Sequence, residues 1–248
     1  REIFLRLDPG QGRGHHKYVH TAGKTSKFGI SPEQLDELDT LLRTSGARVV
    51  GLHAHTGSGI LTAGNWSETA AFLGAMKERY PEVRVLDLGG GLGVVEKPGQ
   101  QPLDLAKVNA NLTRARDAFP GVELWLEPGR YLVASAGVLL ARVTQTKDKG
   151  PFSYVGVDAG MNTLLRPALY GAWHEIANLS RLDEPADRTV NVVGPICESG
   201  DTLGYDRYLP NPQEGDILLI ATAGAYGRAM SSSYNLRPPA AEHILRPA

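Results

Sequence analysis

The residues best suited to chemistry lie in short strings, most of them beside glycine. His53-Ala54-His55-Thr56-Gly57-Ser58-Gly59 places two imidazoles at i and i+2, which an extended strand points to one face. That spacing suits a pair of metal ligands, but no third ligand follows at an obvious distance, and we expect no metal. One packed histidine before a tight turn is the alternative. Leu88-Gly89-Gly90-Gly91-Leu92-Gly93 lets backbone N–H groups converge on an oxyanion with no side chain in the way, and phosphate is the usual guest. A flexible turn is the other reading. The string matches neither the P-loop nor the dinucleotide fingerprint, because the next helical pattern begins only near Leu103. Glu127-Pro128-Gly129-Arg130 puts an acid beside a guanidinium, and both are costly to bury without partners. A cofactor ring nitrogen for Glu127 and a substrate carboxylate for Arg130 would satisfy them; so would a structural Glu–Arg pair. Cys197-Glu198-Ser199-Gly200-Asp201 sets a lone thiol, more often an inert residue, in a polar turn with two acids. Arg166-Pro167-Ala168-Leu169-Tyr170 and Gly224-Ala225-Tyr226-Gly227 read on spacing alone as turns.

The elements that must position these strings follow two rhythms. Ile3 to Leu7 reads as a strand, followed by a Gly- and His-rich loop to about Ile30. Ser31-Pro32-Glu33 opens a helix to Leu42, with serine as cap and proline at the first helical position. Strands over Val49 to His55, Val83 to Leu88 and Val122 to Leu126 alternate with helices over Asn65 to Tyr80 and Leu103 to Phe119. This βα repeat predicts parallel strands with crossover helices, either four units of a (β/α)8 TIM barrel or a doubly wound sheet. His55, Gly89 to Gly91 and Glu127 all fall just past strand ends, where barrels carry their chemistry. After Arg130 the helices stop. Gly137 to Thr146, Phe152 to Asp158, Thr189 to Val193 and Asp216 to Ile220 read as strands of a mainly β domain. The boundary falls near residues 131 to 136, giving an α/β part over 1–133 and a β-rich part over 134–248.

Composition excludes several classes. The 248 residues are 42% hydrophobic and 21% charged, and 26 basic against 27 acidic residues leave a net charge of -1. No electrostatic footprint for nucleic acid or an anionic membrane results. No apolar run approaches the ~20 residues that cross a bilayer, and the first residues lack a signal-peptide layout. The single cysteine, Cys197, rules out an internal disulfide and suits a reducing compartment, so a cytoplasmic protein is expected. The chain opens on Arg1 and at once reads as a strand, so we expect it to begin in the middle of something larger.

Taken in order, these strings resemble the alanine-racemase-fold, pyridoxal-phosphate-dependent amino-acid decarboxylases. The resemblance runs from Lys27-Phe28-Gly29-Ile30 through His55-Thr56-Gly57-Ser58, Gly89-Gly90-Gly91, Glu127-Pro128-Gly129-Arg130, Arg166 to Tyr170, Cys197 to Asp201 and Gly224-Ala225-Tyr226. It closes with Tyr234-Asn235-Leu236-Arg237-Pro238, and the last three strings lie close to the branch acting on diaminopimelate. The resemblance implies the C-terminal part of the barrel followed by the β domain, and pyridoxal 5'-phosphate as cofactor. It implies that His55 stacks on the cofactor ring and that Glu127 pairs with the ring nitrogen. Ser58, the amides of Gly89, Gly90, Gly91 and Gly129, and the Tyr226 hydroxyl would hold the phosphate. Arg130, Arg166 and Tyr170 would bind substrate carboxylates, Glu198 the distal ammonium, and Cys197 would direct reprotonation of the reacting carbon. Cys197 and Glu198 would come from the partner subunit, which implies a homodimer with shared sites.

The implied reaction is decarboxylation of meso-diaminopimelate to L-lysine. This substrate has two carboxylates, which the two permanent cations Arg130 and Arg166 suit. Ornithine or arginine would need acids at the far end and no second arginine. A non-catalytic binding module and a barrel racemase are the remaining readings. The lysine that holds the cofactor is expected upstream of these strings. None of Lys17, Lys24, Lys27, Lys77, Lys97, Lys107, Lys147 and Lys149 has the matching context, so the chain alone is expected to be inactive.

Overall fold

A computed structural model describes residues 1–10, 13–14, 23 and 26–246, and the chain divides into two units. Residues 1–95 and 101–131 form the first; residues 96–100 and 132–248 form the second. Most of the expected loop to Ile30, including Lys17 and Lys24, lies outside the described residues.

The first unit is built on strands β1 (Glu2–Arg6), β2 (Arg48–His53), β3 (Val85–Asp87) and β4 (Glu123–Trp125), all parallel and neighbours in sequence order. Helices α1 (Leu35–Ser45), α2 (Asn65–Met76) and α3 (Leu105–Ala118) supply the crossovers. The βα expectation holds: these are four strands of a partial (β/α)8 barrel. Parallel strands covered by helices read as continuous apolar runs, and β2 is buried from Val49 through Leu52. Trp66, Ala70 and Leu73 recur along one face of α2 with no exposed surface, so that stripe docks on the sheet. Each large side chain so buried stabilises by about 1.5–3 kcal/mol. The start of α1 is preceded by a 3-10 turn, Pro32–Gln34, where the Gln34 side chain accepts the Ser31 N–H at 3.2 Å. Asp104 caps α3 by accepting the Lys107 N–H at 2.9 Å.

The second unit begins with the short helix α4 (Arg130–Val133, which spans the division). Its strands are β5 (Leu139–Lys149), β6 (Phe152–Val157), β7 (Ile176–Asn178), β8 (Arg188–Val193), β9 (Thr202–Leu209) and β10 (Ile217–Ile220). They form one mixed sheet in the order β9-β8-β6-β5-β10-β7, parallel only between β8 and β6. The sheet curls until its ends nearly meet: a Cβ on Gly204 of β9 would come 2.9 Å from Ile176 Cδ1 of β7. On β5, Leu139, Ala141 and Val143 turn inward while Leu140 and Arg142 turn out, the period of two expected of a half-buried strand.

Four elements escaped the sequence reading, the four-residue helix α4 among them. β7 is only three residues long. In β9, Asp206 takes a positive φ of 51° and Arg207 points inward, which breaks the alternation. Helix α5 (Arg166–Tyr170), read as a turn, is five residues with proline near its start and Gly171 at φ 59° closing it. Such short pieces carry no measurable periodicity.

Candidate active site

β2, β3 and β4 stand in register, His53 beside Asp87 and Asp87 beside Trp125, so the segments after them leave the sheet at one rim. Backbone bonds then stitch those segments together. Ala54 donates to Asp87 O at 3.0 Å, Leu88 to Trp125 O at 2.9 Å and Glu127 to Gly89 O at 3.0 Å. Glu127 and the triple glycine are therefore direct neighbours.

The structure gives the glycines a second reason. A Cβ on Gly89, Gly90 or Gly91 would lie 2.7 Å from Ala54 O, 2.2 Å from Glu127 O and 2.3 Å from Gly57 O respectively. Neighbouring backbone already fills the space that the missing side chains leave. Two of the three N–H groups are also engaged: Gly89 donates to Asp87 Oδ1 at 3.0 Å and Gly90 to His55 Nδ1 at 3.2 Å. Among the described residues none accepts the N–H of Gly91. Only that third amide is open to an anion in this arrangement.

The Gly90 bond fixes His55, because an accepting Nδ1 leaves the proton of the neutral ring on Nε2. Burial pushes the His55 pKa below its ordinary value, and the nearby Arg6 and His53 charges push the same way. A flat neutral imidazole results.

Ser58 and Arg130, assigned separately from sequence, meet: Arg130 Nη2 donates to Ser58 Oγ at 2.9 Å. Arg130 is only 8% exposed, whereas a Cβ on Gly129 would meet nothing within 4 Å. A buried guanidinium and a hydroxyl, beside a glycine with open space where a side chain would stand, form a donor set for an anion.

The sequence singled out His53 only as half of a conceivable metal pair with His55, and Asp87 not at all. His53 Nε2 lies 3.3 Å from Glu127 Oε2, and the two share a cluster with Asp87 whose ligand atoms fall within 4.8 Å of one another. The strand spacing paired His53 with His55; parallel register instead gathers it with acids from the neighbouring strands. The Glu127 carboxylate remains half exposed.

In the second unit, Arg166 is 2% exposed. Its Nη2 donates to Glu96 Oε1 at 2.8 Å, and its Nη1 meets His174 Nε2 at 3.1 Å. His174 has no exposed surface, and its Nδ1 lies 2.8 Å from Ala221 O. Since Arg166 can only donate, His174 accepts at Nε2 and donates from Nδ1 to Ala221. Burial pushes the His174 pKa below its ordinary value. Neither Glu96 nor His174 carried a signal in the sequence. Tyr170, at the end of α5, is half-buried, and Tyr226 is 43% exposed in a turn that gives it a φ of 64°. Cys197 and Glu198 are exposed on the turn between β8 and β9.

The chain is similar to known proteins along most of its length. Residues 18–224 match the family described as pyridoxal-dependent decarboxylase, C-terminal sheet domain. A diaminopimelate decarboxylase of Methanothermobacter thermautotrophicus is 41% identical over 256 residues, covering 98% of this chain and 59% of that protein. One from Deinococcus radiodurans is 41% identical over 240 residues, covering 97% and 60%. The crystal structure of diaminopimelate decarboxylase from Helicobacter pylori complexed with L-lysine superposes with a TM-score of 0.84 at 32% identity, covering 96% of this chain and 60% of that one. The chain belongs to the pyridoxal-dependent decarboxylase family. Within it the chain is a homologue of diaminopimelate decarboxylases, spanning about 60% of their length. Among the described residues no helix is long and apolar enough to cross a membrane.

Proposed function

We propose that this chain is part of an enzyme that decarboxylates meso-diaminopimelate to L-lysine with pyridoxal 5'-phosphate. The observation that carries the reading is the rim where His55, the triple glycine and Glu127 touch through Gly90 N–H to His55 Nδ1 and Glu127 N–H to Gly89 O. Their chemistry fits the cofactor. Ser58 and the Gly91 and Gly129 amides would hold its phosphate, Arg130 beside Ser58 would bind a substrate carboxylate, and the neutral His55 ring would lie on the cofactor's face. The resemblance adds the hydroxyl of Tyr226 to the phosphate's partners. When bound, the cofactor supplies an electron sink for the carbanion left by carbon dioxide.

The chain's own groups do the rest. Glu127, an acid beside His53 Nε2, would hold a proton at the ring nitrogen. Arg166 and Tyr170 would orient a substrate carboxylate, which must share or displace the Glu96 carboxylate already on Arg166. Glu198 would read the distal ammonium. Cys197 would deliver a proton to the reacting carbon, each from a second copy of the chain in a homodimer. Relatives that are diaminopimelate decarboxylases, one solved with L-lysine, support this substrate over ornithine or arginine. A non-catalytic module would have no use for Glu127 or Cys197.

The test measures carbon dioxide release by the full product of the gene. Diaminopimelate should react far faster than ornithine; the reverse order would replace the substrate assignment. Glu127→Gln should retain phosphate binding yet slow release about 10²-fold, the scale of one lost electrostatic partner in a water-poor site. Borohydride reduction with pyridoxal phosphate should mark no lysine of the present chain; marking any of them would overturn the assignment of the cofactor's lysine to a segment upstream.

A further inference from the structure

The Cys197–Asp201 string contributed two residues to the proposed chemistry and left its last one unused. Asp201 is 3% exposed although it sits in a polar turn. Its Oδ2 accepts the N–H of Ile196 at 2.7 Å, and its Oδ1 accepts the N–H of Met161 at 2.5 Å. Ile196 precedes Cys197 directly, whereas Met161 belongs to the loop after β6. One carboxylate thus ties the two loops together. The space around it is shaped for an acid of this length: a Cβ on Gly160 or Gly194 would lie 2.5 or 2.3 Å from Asp201 Oδ2. The turn closes on Asp201 through the backbone too, since Gly194 donates to Asp201 O at 2.9 Å and Asp201 donates to Glu198 O at 3.0 Å.

We propose that Asp201 is a positioning residue for the decarboxylation described above, its carboxylate clamping the turn that holds Cys197 and Glu198 outward. The role rests on that functional reading for its purpose but not for its geometry. Two N–H donors from different loops need a group that accepts on both oxygens, and among side chains of this size only ionised aspartate does so. Asparagine fills the same volume but turns an NH2 group towards one of the two amides.

Holding the charge there is unfavourable. Burial raises the Asp201 pKa, an effect opposed by the bonds from Ile196 and Met161 and by the Arg237 charge, and reinforced by Glu198, the other charged groups that act on it. A carboxyl raised in this way contributes stability below its unfolded pKa that is lost as pH rises through the folded value. At neutral pH the ionised clamp is therefore kept at some expense of stability, which packing alone would not require.

The experiment reads amide hydrogen exchange at Met161 and Ile196 and alkylation of Cys197, the only cysteine, by iodoacetamide at fixed pH. In Asp201→Asn, exchange should quicken about tenfold or more at one of those amides, and the alkylation rate should change severalfold. Amides of Val155 and Val192 in the core should be unaffected. In the unsubstituted chain, protection at Met161 and Ile196, corrected for intrinsic exchange, should rise on acidification, because a carboxyl with a raised folded pKa holds its proton more tightly in the closed loops than in the opened ones; in the variant the profile should be flat. Unchanged exchange in the variant, or a flat profile in the unsubstituted chain, would overturn the clamp, and the second measurement needs no variant to fold. In the full gene product, Asp201→Asn should lower kcat about tenfold while leaving pyridoxal phosphate binding unaltered. Freed amides with an unchanged kcat would overturn the positioning role. Absence of diaminopimelate decarboxylation in the unsubstituted protein, with the exchange result intact, would instead count against the proposed function.

Discussion

Replacing Gly90 with alanine would place a methyl carbon 2.2 Å from the carbonyl oxygen of Glu127. Ordinary carbon–oxygen contact needs about 1 Å more, and the obstacle is backbone, which cannot rotate aside as a side chain can. Relieving the overlap by moving the loops apart costs about 1–3 kcal/mol. The same movement strains the bond from Trp66 Nε1 to Gly90 O, 2.9 Å long and made by an indole with no exposed surface. Losing that bond adds about 1–3 kcal/mol. The expected destabilisation of the first unit is thus about 2–6 kcal/mol, or a fall of about 1 M or more in the urea midpoint. Trp66 emission, isolated by replacing Trp125 and Trp173 with phenylalanine, reports this unit directly. Gly129→Ala is the control, because its added carbon meets nothing within 4 Å and should change stability by less than about 0.5 kcal/mol. A Gly90→Ala midpoint equal to that of the control would refute the claim that the triple glycine exists for close approach of the three loops.

Two further outcomes follow from the second unit. His174 has a pKa depressed by burial, and Arg166 donates into its Nε2, so protonation is disfavoured in the fold. Its contribution is present above the unfolded value of 6.5 and is lost as pH falls through the lower folded value; melts between pH 7 and 5 should show this loss, and His174→Asn should flatten it. Arg166→Met should destabilise by about 3–5 kcal/mol because Glu96, with its side chain 14% exposed, loses its cation. Adding Glu96→Gln should recover part of that loss in the same denaturation assay; no recovery would mean that the pair is not energetically coupled.

Much of this protein could be read along the chain. The apolar runs at Val49 to Leu52 and Val83 to Leu88 imposed parallel strands, and the residues just beyond them marked the rim. Local signals suffice there because hydrophobic period and turn chemistry act over a few residues. Strings such as Gly89-Gly90-Gly91 and Glu127-Pro128-Gly129-Arg130 likewise marked segments that the fold brings together at that rim. Only the tertiary structure could decide which groups meet. Register between parallel strands drew His53 to Asp87 and Glu127 and away from partnership with His55. The side chains of Asp87 and His55 took two of the three glycine amides, and burial joined Arg166 to Glu96 and His174, residues 70 and 8 positions away. These pairings arise from desolvation and close packing between distant segments, forces that leave no period or spacing in the chain.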